Sequence, residues 1–284
     1  MHDEAKQIKI VTDSTVDLPQ EKINDLSIHV IPLNISISGV DYIDRVNIQP
    51  DEFIEKMEAA EELPKTSQPA IGQFVELYEK LTADGSEVIS IHLTGGMSGT
   101  VQTAESASKM VDGNITVIDS NFISYGLGFQ VIKAAELAKK GASREDIITE
   151  LDKIRHQTKL YVTIDTLENL VKGGRIGRGK ALIGSLLHIK PIASLTDGVY
   201  TPEANVRSYS ALVRHLTKQY VQAVKGKTVQ AIGIAHADAL ELAEKLKKAL
   251  LDHTPEALID IAYTTPIISC HTGKGAIGFT FYTD

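Results

Sequence analysis

A turn made almost entirely of glycine and hydroxyl residues separates a β-branched segment from a helix-like one. The turn is HLTGGMSGT, residues 92–100; it follows EVISI and precedes VQTAESASKMV. Backbone N–H groups at a helix start after Gly99 can face the same point as the hydroxyls of Ser98 and Thr100, and this arrangement favours an anionic group. Because no lysine stands nearby, we expect a carboxylate at this turn rather than a polyphosphate.

Two further hydroxyl-rich turns have a similar character. KTSQP (residues 65–69) precedes a helix-like segment, and SCHTGKG (residues 269–275) adds His271. Each turn taken alone has the composition of an ordinary helix cap or tight turn. Three such turns at the ends of an α/β sheet favour a polar binding site.

The segment VTDSTVD places Asp13, Ser14 and Thr15 directly after the first apolar segment. Open parallel sheets bind ligands at the carboxyl ends of their strands, so these side chains are candidates for a site. Thr15 stands where a haloacid-dehalogenase-like nucleophile site would have its second aspartate. The same residues can cap the next helix, so a structural role stays open beside a binding role.

The segment KGGRIGRGKA, residues 172–181, contains the spacing G-x-x-x-x-G-K between Gly174 and Lys180. A P-loop needs a strand immediately before it and Ser or Thr after the lysine. Here the helix-like TLENLV precedes the segment and Ala181 follows the lysine, so we reject nucleotide binding. Four basic residues among four glycines predict either an exposed, mobile element that docks an acidic or phosphorylated partner, or a solvated loop.

A serine hydrolase is the alternative from another functional class, with Ser98 as nucleophile and His271 as base. The nucleophile elbow has the pattern G-x-S-x-G, whereas GMSGT has Thr100 where the last glycine belongs. The nine histidines are scattered without the spacing of metal ligands. We therefore expect no metal and no cofactor.

The elements that must position these turns alternate between short strands and longer helices. IKIVT (8–12), EVISIHL (87–93) and ITVID (115–119) predict buried strands, whereas IGQFVELYEKLTADG and FQVIKAAELAKKG predict helices. This alternation is typical of a parallel sheet covered on both faces. A helix that opens at Ser143 with Asp146 three residues later resembles a capping box, and KLYVTID predicts the next strand.

The pattern changes after about residue 165. Asp197-Gly198 between apolar segments predicts a hairpin. Two long amphipathic helices, VRSYSALVRHLTKQYVQAV and DALELAEKLKKALLDH, stand among the strands VQAIGIAHA, EALIDIAYT and AIGFTFYTD. We predict two closely packed domains: a parallel-sheet α/β domain over residues 1–165 and an α+β domain with a mixed or antiparallel sheet over residues 166–284.

Composition narrows the function classes. The chain of 284 residues has a formal net charge of −8, which argues against general binding to nucleic acids. The only cysteine, Cys270, cannot form an internal disulfide, and MHDEAKQIKIVTDST lacks the apolar core of a signal peptide. No segment approaches the roughly 18 apolar residues of a spanning helix. We expect a cytoplasmic protein with at most transient membrane contact.

Six segments, taken together, carry a family resemblance. The chain resembles the DegV family of bacterial fatty-acid-binding proteins from about residue 8 to its C-terminus, and the combination of T-S-Q-P, S-G-T, G-G-R-I and H-T-G is specific. The resemblance implies a two-domain α/β fold and one bound long-chain fatty acid with its carboxyl group near the domain junction. The segments are IVTDSTVDLP, KTSQPAIGQFVELYEKL, HLTGGMSGTVQTA, VIDSNFISYGLG, LENLVKGGRIG with IKPI downstream, and CHTGKGAIG.

The resemblance also assigns roles by position. The family presents its fatty acid to a separate fatty-acid kinase, which phosphorylates the carboxylate to an acyl phosphate, so the protein itself is expected to have no catalytic cycle. Arg175 is associated with docking to that kinase, and we expect the fatty-acid tunnel to lie elsewhere. The expected ligand-binding residues are Thr66 and Ser98, which hold the carboxyl group, His271 close to it, and the motif neighbours Ser67, Gly99 and Thr100.

The chain departs from the family pattern at two places. Thr94-Gly95-Gly96-Met97 precedes Ser98 where members often have S-S-x-L, and Lys274 stands where members often have proline. We expect the first departure to alter the preference for acyl chains and the second to alter the rim or the charge of the site.

Overall fold

A computed structural model describes residues 7–184 and 189–284. The first six residues, part of the stretch considered for a signal peptide, lie outside these ranges. Short 3-10 turns cover Gly177–Leu182 and Thr196–Gly198. The described strands are β1 (Ile8–Asp13), β2 (His29–Ile31), β3 (Asn34–Ile37), β4 (Val40–Ile43), β5 (Lys65–Ser67), β6 (Glu87–His92), β7 (Ile115–Asp119), β8 (Thr158–Thr163), β9 (Lys190–Ser194), β10 (Thr201–Val206), β11 (Val229–His236), β12 (Ile259–Tyr263) and β13 (Ile277–Thr283). The described helices are α1 (Gln20–Asp25), α2 (Pro50–Ala59), α3 (Ile71–Thr82), α4 (Thr100–Ser108), α5 (Ser124–Lys139), α6 (Arg144–Gln157), α7 (Glu168–Lys172), α8 (Tyr209–Val224), α9 (Leu240–Leu251) and α10 (Pro266–Thr272).

The first half of the chain forms a parallel sheet with the strand order β2-β1-β6-β7. Alternate residues of each strand point to opposite faces, so both faces of this apolar sheet need cover. Val11 and Val88 pack with α3 and α4, whereas Ile10 and Ile89 pack with α5. The predicted parallel sheet with helices on both faces is therefore confirmed.

The second half forms a six-stranded sheet with the order β10-β9-β8-β13-β11-β12. Only its β11–β12 pair is parallel; the other pairs are antiparallel. Helices α8 and α9 cover one face through Leu216, Tyr220 and Leu246. The other face packs against α5 and α6, so α5 contacts strands of both large sheets. This position explains why residues 124–131 of α5 are buried around the whole helix.

Strand β8 belongs to the second sheet, although it precedes the predicted domain boundary. Val162 pairs with Gly278 of β13 and with Ala193 of β9. In the sequence β8 has the same apolar character as the strands of the first sheet, so its partners could not be assigned locally. The division at residues 165/166 stays a prediction, and the strand pairing favours a division before residue 158.

A small antiparallel sheet with the order β4-β3-β5 adds a third layer, which the sequence analysis did not predict. Its strand β5 carries Thr66 and Ser67, and Ile35 of β3 pairs with Thr66. Helix α10 packs against β3, β5 and α2. The KTSQP turn therefore contains a short strand, and the small sheet brings this strand against the last helix.

Helix α10 begins at a cluster of buried polar groups. The carboxylate of Asp17 accepts hydrogen bonds from Ser124 Oγ at 2.6 Å, Thr264 Oγ1 at 2.7 Å and the backbone N–H of Thr265 at 3.0 Å. Thr265 Oγ1 donates to Asp44 Oδ2 at 2.5 Å. These bonds join the end of the chain to the loop after β1 and to the end of the β3–β4 hairpin.

Burial dominates the electrostatics of this cluster. It raises the pKa of Asp17 and raises the pKa of Asp44 to about 7. The nearby Arg45 guanidinium donates its hydrogen bonds to the carbonyl oxygens of Val16 and Leu18 at 2.8 and 2.9 Å. Its charge only partly offsets the desolvation of the two acids, because desolvation disfavours the charged carboxylate in both cases.

We expect stability to depend on pH through Asp44. Between the ordinary value of 3.8 and about 7, folded Asp44 keeps a proton that the unfolded chain has lost. Its contribution is therefore fully present below about pH 3.8 and is lost as the pH rises through about 7. Relative to Asp44→Asn, the free energy of unfolding of the wild type should fall by about 1.4 kcal/mol per pH unit in this window, measured by urea titration. Asp41→Asn, at an exposed position of β4, is the matched control; equal slopes for Asp44→Asn and the wild type would contradict the assignment.

Candidate functional site

A cavity of about 320 Å³ lies where the loops after β1 and β6 meet α10 and the segment that follows α7. Its volume falls at the lower end of the range of small-molecule sites. The wall is apolar over much of its area and polar over a smaller part, so an elongated amphipathic molecule is the best match. The apolar wall includes Leu33, Leu93, Met97, Val162, Leu195 and Ile268.

The polar part of the wall unites residues from three distant motifs. Thr66 and Ser67 come from β5, Ser98 and Gly99 come from the loop before α4, and His271 comes from α10. The structure therefore brings five of the six predicted ligand-binding residues into one cavity.

Thr100, the sixth predicted residue, lies behind Ser98 and does not line the cavity. Its side chain is buried, and its Oγ1 lies 2.8 Å from Ser98 Oγ. The backbone N–H of Thr100 also donates to Ser98 Oγ at 3.2 Å. Thr100 thus orients the Ser98 hydroxyl at the first residue of α4.

His271 is held in the cavity wall as a neutral imidazole. Its Nε2 lies 2.8 Å from Thr66 Oγ1, whereas its buried Nδ1 has no hydrogen-bond partner among the described residues. Burial, assisted by the positive charge of Arg175, lowers the pKa of His271 to about 4. Below its ordinary value of 6.5 the unfolded chain gains a proton that the folded chain refuses, so His271 lowers stability as the pH falls from 6.5 to about 4.

The geometry of a serine hydrolase is not formed between Ser98 and His271. Ser98 Oγ has its hydrogen bonds with Thr100, and His271 Nε2 has its hydrogen bond with Thr66. Within residues 7–184 and 189–284, no carboxylate contacts His271 Nδ1, where a triad requires an orienting acid. The two side chains share a cavity without forming a nucleophile and its base.

Arg175 lines the same cavity, whereas the sequence analysis expected the fatty-acid tunnel to lie away from Arg175. The chain turns back after α7, where Gly174 has a φ of +74° and Arg175 N–H donates to Leu170 O at 2.9 Å. Arg175 Nε donates to Met97 O at 3.1 Å, and Nη1 donates to Gly173 O at 2.5 Å. Arg175 is only partly buried and has no ion pair within the described ranges, so its charge is available to an anion.

Arg178 and Lys180 occupy a different position from Arg175. Both are exposed, and neither lines the cavity. Arg178 Nη2 forms an ion pair with Asp197 Oδ2 at 2.8 Å, across the short turn between β9 and β10. The basic segment thus divides into one residue in the cavity wall, Arg175, and three exposed residues outside it, Lys172, Arg178 and Lys180.

Gly96, one of the two glycines that depart from the family pattern, lies at a contact between two loops. A Cβ atom on Gly96 would lie 2.7 Å from the carbonyl oxygen of Gly198, in the turn between β9 and β10. Thr94 Oγ1 donates to the same oxygen at 2.9 Å. Because Leu195 and Tyr200 at the two ends of this turn line the cavity, the contact fixes a wall of the site.

The departure at Lys274 lies outside the cavity wall. Lys274 Nζ forms ion pairs with Glu58 Oε2 at 3.1 Å and with Asp238 Oδ2 at 3.2 Å. The positive charge is thus paired on the surface next to α2.

Of the three candidates Asp13, Ser14 and Thr15, Thr15 alone lines the cavity. Asp13 and Ser14 are buried behind it, and Ser14 Oγ accepts a hydrogen bond from the backbone N–H of Leu33 at 3.0 Å.

In the part of the chain that the structure describes, no three His, Cys, Asp or Glu residues are grouped to hold a metal ion. No helix of the same part has the length and apolar character needed to cross a membrane.

Comparison with known proteins assigns the family. Residues 7–284 match the family described as "Uncharacterised protein, DegV family". The chain belongs to the DegV family. A DegV domain-containing protein of Staphylococcus aureus (strain COL) is 48% identical over 273 residues, which cover 96% of this chain and 97% of the relative. The resemblance seen in the sequence is thereby confirmed.

Solved DegV structures confirm the α/β fold. A DegV family protein from Thermus thermophilus superimposes with a TM-score of 0.93 at 31% identity, over 98% of this chain and 100% of the other. DegV from Bacillus subtilis superimposes with a TM-score of 0.91 at 35% identity, over the same shares of the two chains. The first structure is described as showing fatty acid binding, and the second protein is described as a fatty acid binding protein.

We expect Gly96→Ala to lower the free energy of unfolding by about 1–3 kcal/mol, because the new methyl group meets a backbone carbonyl that cannot move alone. Gly72→Ala in α3 is the matched control, since a Cβ atom there meets nothing within 4 Å. The control should stabilise the protein by up to about 1 kcal/mol. Chemical denaturation measures both variants, and equal effects would show that the Gly96 contact is unimportant.

Proposed function

We propose that this DegV family protein binds one long-chain fatty acid, with the carboxylate at the polar wall and the acyl chain along the apolar wall. The observation that carries the proposal is a largely apolar cavity lined by the Arg175 guanidinium, which has no ion pair among the described residues, beside the hydroxyls of Thr66 and Ser98. The descriptions of the T. thermophilus and B. subtilis relatives support the same ligand class.

The apolar wall supplies the affinity in this proposal. Burial of about 15 methylenes at about 0.8 kcal/mol each gives roughly 12 kcal/mol of gross driving force. Loss of ligand freedom and ordering of the chain cost several kcal/mol of this. A void of about 20 Å³ adjoins the cavity and shares Ile123, Val162, Ile268 and Thr272 with it. Since Ala235 and Gly278 line the far side of the void, we assign the end of the acyl chain to this direction.

The polar wall supplies the orientation. A buried carboxylate needs hydrogen-bond donors, since its desolvation is otherwise costly. His271 Nδ1 lies against the backbone of Gly173, which offers no acceptor there, so we assign the proton of the neutral ring to Nε2. Nε2–H then donates to Thr66 Oγ1, and the Thr66 hydroxyl proton is free to bind the carboxylate. Ser98 and Arg175 complete the proposed donor set.

The acyl hydrolase remains the weaker alternative. It would require the Ser98 hydroxyl to leave its hydrogen bond with Thr100 and to form one with His271. Within the described ranges, His271 Nδ1 would still lack the acid that orients it. Turnover of an acyl ester that Ser98→Ala abolishes would support this alternative.

From the family resemblance we further propose that the protein acts in the cytoplasm and presents its fatty acid, for example palmitate, to a separate fatty-acid kinase for conversion to an acyl phosphate. The product would then be available for phospholipid synthesis. The exposed Arg178 and Lys180 beside the cavity are consistent with a docking surface for such a partner. The docking role of Arg175 stays a prediction, and its side chain lines the cavity.

Ligand extraction tests the proposal directly. We expect denatured, solvent-extracted protein to yield about one long-chain fatty acid per chain by mass spectrometry, since a long apolar tunnel retains its ligand during purification. Thr66→Ala and Ser98→Ala should each weaken binding by about 1–3 kcal/mol, because each removes a donor from a buried acceptor. Absence of any fatty acid, together with no uptake of added palmitate or oleate, would refute the proposal.

Arg175→Ala separates binding from docking. If Arg175 binds the head group, the variant should contain less fatty acid and bind palmitate about tenfold or more weakly, the loss typical of a charge-assisted hydrogen bond. Arg178→Ala is the matched control and should retain full occupancy, because Arg178 is outside the cavity. A fully occupied Arg175→Ala variant that no longer supports acyl-phosphate formation with the kinase would favour docking instead.

A further inference from the structure

The end of the cavity that faces solvent is its polar end. Ser67 and Gln68 line the cavity and are exposed, and Thr66 and Ser98 are partly buried. The mouth of the cavity therefore lies between the loop that joins β5 to α3 and the loop that precedes α4. The buried lining residues are largely apolar and include Leu33, Leu93, Val162, Leu195 and Ile268.

The side chain of Gln68 crosses this mouth. Gln68 stands in the loop between β5 and α3, and its Nε2 donates to Thr103 Oγ1 in α4 at 2.6 Å. Its Oε1 lies over Gly99, where a Cβ atom would be only 2.1 Å from that oxygen. One side chain thus connects the loop that carries Thr66 with the helix that follows Ser98.

The orientation of the Gln68 amide is fixed by Thr103. Thr103 Oγ1 donates to the carbonyl oxygen of Gly99 at 3.0 Å. Because a hydroxyl has one proton, Thr103 can only accept from Gln68. The amide must therefore turn its Nε2 towards Thr103, which places Oε1 above Gly99.

Gly99 makes room for this amide. Its φ is −74°, which other residues adopt as readily as glycine, so the backbone does not require a glycine here. A side chain at this position would displace the amide of Gln68. The glycine of S-G-T and the glutamine of T-S-Q-P therefore belong to one arrangement, although the family resemblance assigned no role to Gln68.

The bond between Gln68 and Thr103 is of a kind that opens easily. It is exposed, so water can replace either partner and the net stabilisation is modest. The hydroxyl of Thr66 is held separately by His271 Nε2 at 2.8 Å. Rotation of the Gln68 side chain alone can therefore open the mouth while Thr66 stays in place.

We propose that Gln68 is a gating residue of the cavity. While it is bonded to Thr103, its amide covers the carboxylate of the fatty acid, and it has to leave Thr103 each time a fatty acid enters or leaves. The inference rests on the proposed function, which places the carboxylate at Thr66 and Ser98 and hence beneath Gln68. The same rotation would uncover the carboxylate for a reaction partner.

The test measures how fast cis-parinaric acid, a fluorescent long-chain fatty acid, binds to and leaves the full-length protein in stopped-flow experiments, with excess palmitate as the chase. Gln68→Ala should raise both the association and the dissociation rate constant about two- to tenfold, because one hydrogen bond no longer holds the gate closed. Since a gate acts on entry and release alike, the Kd should change little.

Thr103 supplies the matched variants. Thr103→Val removes the acceptor and should raise both rate constants as Gln68→Ala does, whereas Thr103→Ser keeps the hydroxyl and should keep the wild-type rates. The double variant of Gln68→Ala with Thr103→Val should exchange no faster than either single variant. Thr149→Val is the control: Thr149 is exposed, its Oγ1 donates to Glu145 O at 2.8 Å four residues earlier, as Thr103 does to Gly99, and it lies outside the cavity wall.

A merely structural role of Gln68 predicts a different result. A loosened site would release its ligand faster without binding it faster, so a rise in the dissociation rate constant alone would overturn the proposal. Unchanged rates in Gln68→Ala and Thr103→Val, or faster exchange in the double variant than in both single variants, would overturn it too. If Gln68→Ala does not fold, the comparison of Thr103→Val with Thr103→Ser decides. A wild type that binds neither cis-parinaric acid nor palmitate would instead refute the proposed function.

Discussion

The hydrogen bonds from Thr264 and Thr265 to the carboxylates of Asp17 and Asp44 hold the last helix of the chain against its first sheet. Helix α10 contributes Ile267, Ile268, His271 and Thr272 to the cavity, so one wall depends on these bonds. Buried carboxylates without donors are costly, and buried hydroxyls without acceptors are costly too. The cluster therefore specifies one position for α10 relative to the parallel sheet.

The same low polarity acts in opposite directions at the two ends of α10. Burial raises the pKa of Asp44 to about 7 near its start and lowers the pKa of His271 to about 4 near its end. The contribution of Asp44 to stability is lost as the pH rises, whereas that of His271 is lost as the pH falls. Between about pH 4 and 6.5 the two effects have opposite signs, so together they leave the free energy of unfolding nearly independent of pH.

The sequence was sufficient for elements whose signals are local. Strands β1, β6 and β7, the amphipathic α8 and α9, and the Asp197-Gly198 hairpin follow from periodicity and turn residues, and Ser143 caps α6 as predicted. The three hydroxyl-rich turns were also recognisable, because they consist of residues that cap helices or donate to anions. Strands β2 to β5 were missed because each has only three or four residues.

What the sequence could not reveal were pairings between distant positions. Thr66 and His271 are hydrogen-bonded although 205 residues separate them, and Asp17 meets Thr265 across 248 residues. Among these features, the position of Arg175 was the one that the sequence came closest to predicting. Two glycines after a helix are typical of a chain that reverses at a helix C-terminus, and that signal predicts the return of Arg175 towards α7.

The contact of Thr94 with Gly198 has a further consequence for folding. It joins residues 104 positions apart, so the chain loses loop entropy before this wall of the cavity exists. An intact cavity is therefore a property of the folded chain, and a molecule bound in it shifts the folding equilibrium by mass action. At a free concentration of about 100 times its Kd, such a molecule adds about 2.7 kcal/mol to the free energy of unfolding. A molecule bound in the cavity therefore also stabilises the folded state of the protein.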